Sequence, residues 1–496
     1  MAAAGEQVER TYGNWRKPRT PGIGKLGLLG TLILMGGMVA TIMSMMFFGP
    51  LAAFVVAAVV AAVLTPLLIQ DRHGRTALQA ATARIAWWRG RSAGQHLYRS
   101  GPLGIKARGS CRLPGLLAAS QAVDANDSYG QPFGMVILPQ VGHYTVVLEC
   151  GADGASLVDS DQIDTWVAHW GQWLAALSVE PGLVAASVTI ETAPDLGHRL
   201  HSEVNANLDP DAPDLARQVL EEIVEHYPAG SAQVSTRIAL TYAAAARPGA
   251  KRRSTPEMAR EIGARLPGLS RNLAMTGAGT ARAMTAQQIA EAVRVAFDPA
   301  AQALLDASHG ETLDWSDAGP VATQEHWDRY IHDSGVSITW GMSEAPRGEV
   351  LSNVLAGLVS PHADISRKRV TLLYRPYDPG TAATLVERDR KDARFRITGD
   401  RTAARDAIAV AAADQTAREE AKGAGLVRFS MLVTATVRSA DALPAAAAAI
   451  DTLAPAARVQ LRRMYGSQAA AFTAALPLGV VLPDHLQVPA VIREAL

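Results

Sequence analysis

Cysteine is scarce: Cys111 and Cys150 are the only two in 496 residues. They are too few for a disulfide scaffold and lack zinc-ligand spacing, so a reducing compartment is the simpler setting for the bulk of the chain. No Gly-x-x-x-x-Gly-Lys-[Ser/Thr] run occurs, since Gly24-Lys25 is followed by Leu26 and Gly277-Ala-Gly279 by no lysine. Without a backbone cradle and a phosphate-pairing lysine, nucleotide hydrolysis by this chain alone is not expected. Gly277-Ala-Gly-Thr-Ala281 lacks the third glycine of a dinucleotide fingerprint and reads as a turn. His198 and His201 have only Glu203 as a neighbouring third ligand, short of a zinc set. A Gly-x-Ser-x-Gly elbow is also missing, and neither cysteine sits in a catalytic signature. Glu325-His326 and His332-Asp333 are acid–base neighbours in sequence, and they carry the alternative reading of a membrane-bound enzyme. The expectation is a chain with no catalytic residues, no cofactor and no metal.

Net charge is lacking as well, with 47 basic against 47 acidic side chains. That balance hides a division. Residues 1–100 hold eleven Lys and Arg against Glu6, Glu9 and Asp71, so this region is +8 and the remainder −8. A mean hydropathy of +0.07 excludes both a mostly disordered chain and a transporter filled with spans.

What is present is a run from Leu26 to Ile69 without one ionisable side chain. It is too long for a single crossing of a bilayer core of about 30 Å. Gly49-Pro50 interrupts it, because proline lacks an N–H and disfavours a helical residue before it. The run therefore predicts a transmembrane hairpin over 26–69 with its turn at Gly49 and Pro50. Arg16, Lys17 and Arg19 precede it, and Arg72 and Arg75 follow, so both flanks are expected in the cytoplasm of a two-span plasma-membrane protein. Trp15, Trp87 and Trp88 fall near the boundaries, where indoles favour headgroups. Residues 1–25 read as a basic N-terminus and 70–100 as a basic juxtamembrane helix suited to anionic lipid.

Beyond residue 100, β-rich runs and amphipathic helices interleave without regular βαβ spacing, which points to an α+β fold. Met135–Leu138 and Tyr144–Leu148 read as a hairpin, Leu183–Thr192, Gln233–Tyr242, Arg369–Arg375 and Leu426–Arg438 as strands. Asp161–Leu177 carries Trp166, Trp170 and Trp173 at helical spacing and reads as a core helix, while Thr285 and Gln288 form a capping box. Arg458–Ala475 reads as a late helix bearing Arg458, Arg462, Arg463 and Gln468, candidates for contact with a partner or a phosphate. A polar, turn-rich stretch after Leu304 divides the soluble part into 101–303 and 304–496.

Tyr12-Gly-Asn-Trp-Arg-Lys-Pro-Arg-Thr-Pro-Gly22, the charge-flanked hairpin, Met284-Thr-Ala-Gln-Gln-Ile-Ala290 with Ala296-Phe-Asp-Pro299, and Gln468-Ala-Ala-Ala-Phe472 before Leu476-Pro-Leu-Gly479 resemble the actinobacterial membrane proteins of integrative conjugative elements. Such proteins look like a two-span VirB-type subunit fused to the N-terminal, non-motor part of the TraC/VirB-type conjugation ATPase. In that family a motor follows the region resembling Gln468–Gly479, whereas this sequence ends at Leu496 without room for one. The resemblance implies a membrane-anchored docking component of a conjugative, type IV-like apparatus that transfers DNA or protein. Its implied partners are the plasma membrane, a separately encoded P-loop ATPase, other secretion subunits and further copies of itself. The type VII secretion subunit EccE, also two spans followed by a soluble domain, is the alternative within the same mechanical class. Direct nucleic-acid binding is not expected of a −8 body.

Overall fold

Two helices that carry no charge begin the chain's regular structure. α1 (Gly27–Phe48) and α2 (Pro50–Leu68) span about 33 and 28 Å at 1.5 Å per residue, close to the thickness of a hydrocarbon core. The turn between them is one residue. Gly49 sits at φ 86, a left-handed conformation unfavourable for a side chain, and Pro50 opens α2 where a missing N–H costs nothing. Gly37 lets the helices close on each other, because a Cβ there would lie 2.5 Å from Cγ1 of Val60. Around the turn, Met46, Phe47, Phe48, Leu51 and Phe54 are all exposed. Both helices are long and apolar enough to cross a membrane.

The computed structural model describes residues 10–15, 27–71, 73–104, 110–152, 154, 157–194, 204, 207–209, 211–226, 232–245, 249–307, 312–346, 348–395 and 404–486. After α2 comes α3 (Ala77–Ser92), opened by a reciprocal capping box between Thr76 and Gln79.

The remainder is built on one 13-stranded sheet. Its strands are β1 (Leu97–Arg99), β2 (Gln121–Asn126), β3 (Pro132–Leu138), β4 (His143–Gly151), β5 (Leu183–Pro194), β6 (Ala232–Ala243) and β7 (Thr280–Ala283). They continue with β8 (Ala322–Glu325), β9 (Tyr330–His332), β10 (Gly335–Glu344), β11 (Arg367–Pro376), β12 (Val427–Val437) and β13 (Gln460–Arg463). The order is β1-β8-β9-β10-β12-β11-β5-β6-β4-β3-β2, with β13 added to β10 and β7 to β4. The chain is thus α+β, as its pattern predicts, with the β3–β4 hairpin and the strands β5, β6, β11 and β12 where the sequence places them. The two soluble regions, 101–303 and 304–496, each supply one half of the sheet, except that β1 pairs with β8. They join where β5 pairs with β11, from Thr192 opposite Lys368 to Ala186 opposite Tyr374.

Alternation along the strands sends side chains to two different layers. On one face, Met135, Val146, Val188, Val370, Val433 and their neighbours pack under three helices: α4 (Ser160–Leu177), Thr255–Leu273 and Leu443–Ala456. Trp173 is buried and stacks on Trp170, 4.9 Å between centroids, so the tryptophan stripe of α4 is core. The other face is threonine-rich. Thr145, Thr189, Thr241, Thr339, Thr371 and Thr434 are all buried on it. It is covered by the helix Ala286–Phe297, which starts at the expected Thr285–Gln288 box, and by a strap from Gln468 to Val481. The hydroxyl of Thr371 donates to the carbonyl of Ala475 at 2.7 Å and that of Thr241 to Gly479 at 3.2 Å. Buried hydroxyls need such acceptors, and the strap's irregular backbone supplies them.

The expected helix over Arg458–Ala475 is corrected. Arg458 has φ 54, Gln460–Arg463 forms β13 against β10, and only Gln468–Ala474 is helical. Pairing with the edge residues Trp340–Glu344 outweighs the helix propensity of an alanine-rich segment, a weak local preference.

Candidate functional site at the membrane-proximal joint

Described residues on both sides of the hairpin touch the same body. On the entry side, Tyr12 forms an antiparallel bridge with Val350, N–H to O at 2.8 Å in each direction. The hydroxyl of Thr11 donates to Glu349 at 2.8 Å, and that of Tyr12 to Asp164 on α4 at 2.6 Å. Burial, followed by this acidic neighbour, pushes the Tyr12 phenol up to about 12. Asn14 reaches Thr416 at 3.2 Å on the helix Ala404–Ala421. Arg458 holds the same loop from below, donating to the carbonyl of Glu349 at 2.9 Å.

On the exit side, Asp71 closes a turn by accepting the backbone N–H groups of His73 and Arg75, each at 2.9 Å. Partial burial acts to raise its pKa, but these amides and the charges of His73 and Arg462 leave the carboxyl below its usual range. Arg462 lies within electrostatic reach of Arg75 and Asp71; burial and Arg75 lower its pKa while Asp71 opposes them. The ring of His73 meets the hydroxyl of Ser343 at 3.3 Å, and that hydroxyl donates to the carbonyl of Gln460 in β13 at 3.1 Å.

An aromatic and cationic ladder continues from there. Trp87 meets Trp327 edge-on with centroids 5.9 Å apart, and the guanidinium of Arg84 lies 5.6 Å from the Trp327 centroid. Trp327 stacks on Tyr465 at 6.1 Å, and Arg463 lies over both Tyr465, at 5.8 Å, and Trp340, at 5.5 Å. Gly466, at φ 71, makes room for the ladder, because a Cβ there would stand 2.5 Å from the Trp327 ring. Cation–π and aromatic contacts of this kind contribute roughly 0.5–2 kcal/mol each. After α3, β1 pairs Leu97–Arg99 with Gln324–Ala322.

Two residue sets that the sequence kept apart therefore meet. Arg75 of the membrane-interface set lies within electrostatic reach of Arg462 of the late arginine set, and Trp87 is linked to Arg463 through Trp327 and Tyr465. Trp88 remains 70% exposed, whereas Trp87 turns toward the body. Trp15 is half-buried. Gln468 stands apart from the joint and is fully buried, bonding the N–H and carbonyl of Thr339 at 2.8 and 3.2 Å. Arg16, Lys17, Arg19 and Arg72 lie outside the described residues, as do His198, His201 and Glu203. Asp71, Ser343, Trp327, Tyr465 and Glu349 were not legible as members of the joint. Only the Asp71 turn had a local signal, a carboxylate two and four residues before the amides it accepts.

The acid–base neighbours have structural employment. Glu325 accepts the N–H of Ala469 at 2.9 Å, and burial raises its pKa. His332 is fully buried, with one ring nitrogen 2.5 Å from the Phe297 carbonyl and the other 2.7 Å from the Ser337 hydroxyl. Cys111 and Cys150 are free thiols, and burial pushes Cys150 up to about 11. Among the described residues no three His, Cys, Asp or Glu side chains gather as metal ligands would.

A family profile described as a domain of unknown function (DUF8461) matches residues 19–79. That stretch is the hairpin with its immediate flanks. No curated protein matches the chain.

Proposed function

We propose that this chain is a membrane-anchored docking component of a conjugative, type IV-like transfer apparatus, whose soluble body recruits a separately encoded P-loop ATPase. The supporting observation is the joint: segments on both sides of a two-helix hairpin contact the same body, which favours one orientation of that body to the bilayer. A defined orientation is what a platform needs to present a partner. The ordered sequence resemblance supplies the kind of machine, and the missing phosphate-binding motif in this sequence supplies the division of labour. With basic flanks on the inner leaflet, the acidic body lies in the cytoplasm. Coexpression with a conjugation-type P-loop ATPase of the same organism, followed by detergent extraction and size-exclusion chromatography, is expected to give one co-eluting complex. Reproducible separation of the two proteins would overturn the reading.

A further inference from the structure

Where the half-sheets meet, the structure buries more positive charge than negative. Glu191 on β5 receives the guanidiniums of Arg367 and Arg369 from β11, the latter through Nε at 2.8 Å. Arg367 is 7% exposed and Arg369 2%. Burial works against the Glu191 carboxylate, yet Arg369 and Arg367 more than offset this and hold it far below the usual range. One carboxylate thus faces two arginines that cannot neutralise themselves by losing a proton. Nearby Arg237 has its own carboxylate in Glu149 at 3.2 Å. Asp298 is engaged by Arg294 at 2.8 Å and by the Ser334 hydroxyl. Within this cluster Nε of Arg367 and Nη1 of Arg369 are buried without a hydrogen-bond partner. An uncompensated buried charge costs several kcal/mol.

Arg367 also lines a cavity of 30 Å³ at this seam, together with Gln302, Ser366, Thr436 and Arg438. Two prolines and a valine complete the lining, which includes two arginines and no acidic residue. Arg438 is exposed at its rim, which gives an ion a route in and out. The volume admits water or a small ion. We propose that this cavity binds a single monovalent halide, with chloride the available ion, between Arg367 and Arg438. The bound anion balances the arginine excess and ties β5, β11 and β12 together where the two half-sheets pair.

The test uses the purified full-length protein in detergent, melted in sodium chloride, sodium bromide and sodium gluconate at equal ionic strength. Chloride and bromide are expected to raise the midpoint saturably, by about 4 °C or more over gluconate. Arg438→Gln, at the exposed rim, should leave the protein folded and reduce that increment at least severalfold. Arg367→Gln should abolish it, since one arginine then faces one carboxylate. Chlorine-35 NMR of the unmodified protein gives an answer that needs no variant: line broadening should saturate with added protein sites and be displaced by bromide. Equal melting in the three salts, an increment unchanged in Arg438→Gln, or broadening that bromide does not displace would mean that water alone fills the cavity, and would overturn the proposal.

Discussion

At the scale of single residues, Gly479 and His332 carry the sharpest consequences. Gly479 has φ 64, and a Cβ on it would lie 1.9 Å from Oγ1 of Thr241 and 2.5 Å from Oγ1 of Thr145. Gly479→Ala combines a disfavoured backbone with a clash against two buried strands and is expected to cost about 3–5 kcal/mol in denaturant unfolding. Gly130→Ala, at φ 77 with nothing within 4 Å, should cost about 1 kcal/mol and serves as the control. His332 is held neutral, first by burial and then by Arg369, at about 4 against an ordinary 6.5. The unfolded chain therefore binds a proton that the folded chain refuses. Its contribution is complete above pH 6.5 and is lost as pH falls toward 4, by an amount of order 3 kcal/mol. His332→Gln should remove one proton's worth of slope from stability between those limits, measured by urea titration at stepped pH. Neither effect was legible in the sequence, because Gly479 stood only at the end of a segment that carries a family resemblance and His332 as one half of an acid–base pair. What determines both is the neighbour across the sheet, which local sequence does not contain.

Helices and strands were legible wherever a local pattern sufficed. An uninterrupted apolar run specified the hairpin and Gly49-Pro50 its turn; Val427, Phe429, Met431, Val433 and Ala435 specified β12 by alternation. The failure over Arg458–Ala475 has the opposite cause. Short β13 exists because the edge of β10 offers it unpaired backbone groups, and an edge 120 residues away leaves no trace in local periodicity. The same edge gives α3 its footing through Trp327 and Tyr465. Trp327→Ala should therefore free α3 without unfolding the body. Trypsin cleavage after Arg89 and Arg91 is expected to accelerate by about tenfold or more, since the edge and cation–π contacts together stabilise by roughly 1–2 kcal/mol, while the unfolding midpoint of the body stays unchanged. An unchanged cleavage rate would show that α3 is held elsewhere.

For the whole molecule, the division of charge read from the first hundred residues acquires a shape. The region of +8 brackets a hairpin in sequence, and of its described residues Tyr12 and Leu97–Arg99 touch a body of opposite sign. The topology this requires places the Gly49 turn on the far side of the bilayer from everything else described. In a Cys111→Ser, Cys150→Ala background, Phe48→Cys at the turn is expected to react with a membrane-impermeant maleimide in intact cells. Trp88→Cys, exposed on α3, should react only after the cells are permeabilised. Labelling of Trp88→Cys in intact cells would refute the arrangement.

The strap from Gln468 to Val481 also dictates an order of events during synthesis. It bonds to Thr339, Thr371 and Thr241, so it touches both half-sheets. β5 must wait for β11, 176 residues downstream, before Glu191 meets Arg367. Ribosomes that have already delivered the hairpin to the bilayer therefore carry a nascent chain whose β5 edge stands open until β11 is made, and whose threonine face stands open until the strap is made. Such an edge is a template for the wrong strand. Tethered to one leaflet and net acidic, each growing body is kept from its neighbours by charge and by anchorage until the strap emerges and shuts the sheet.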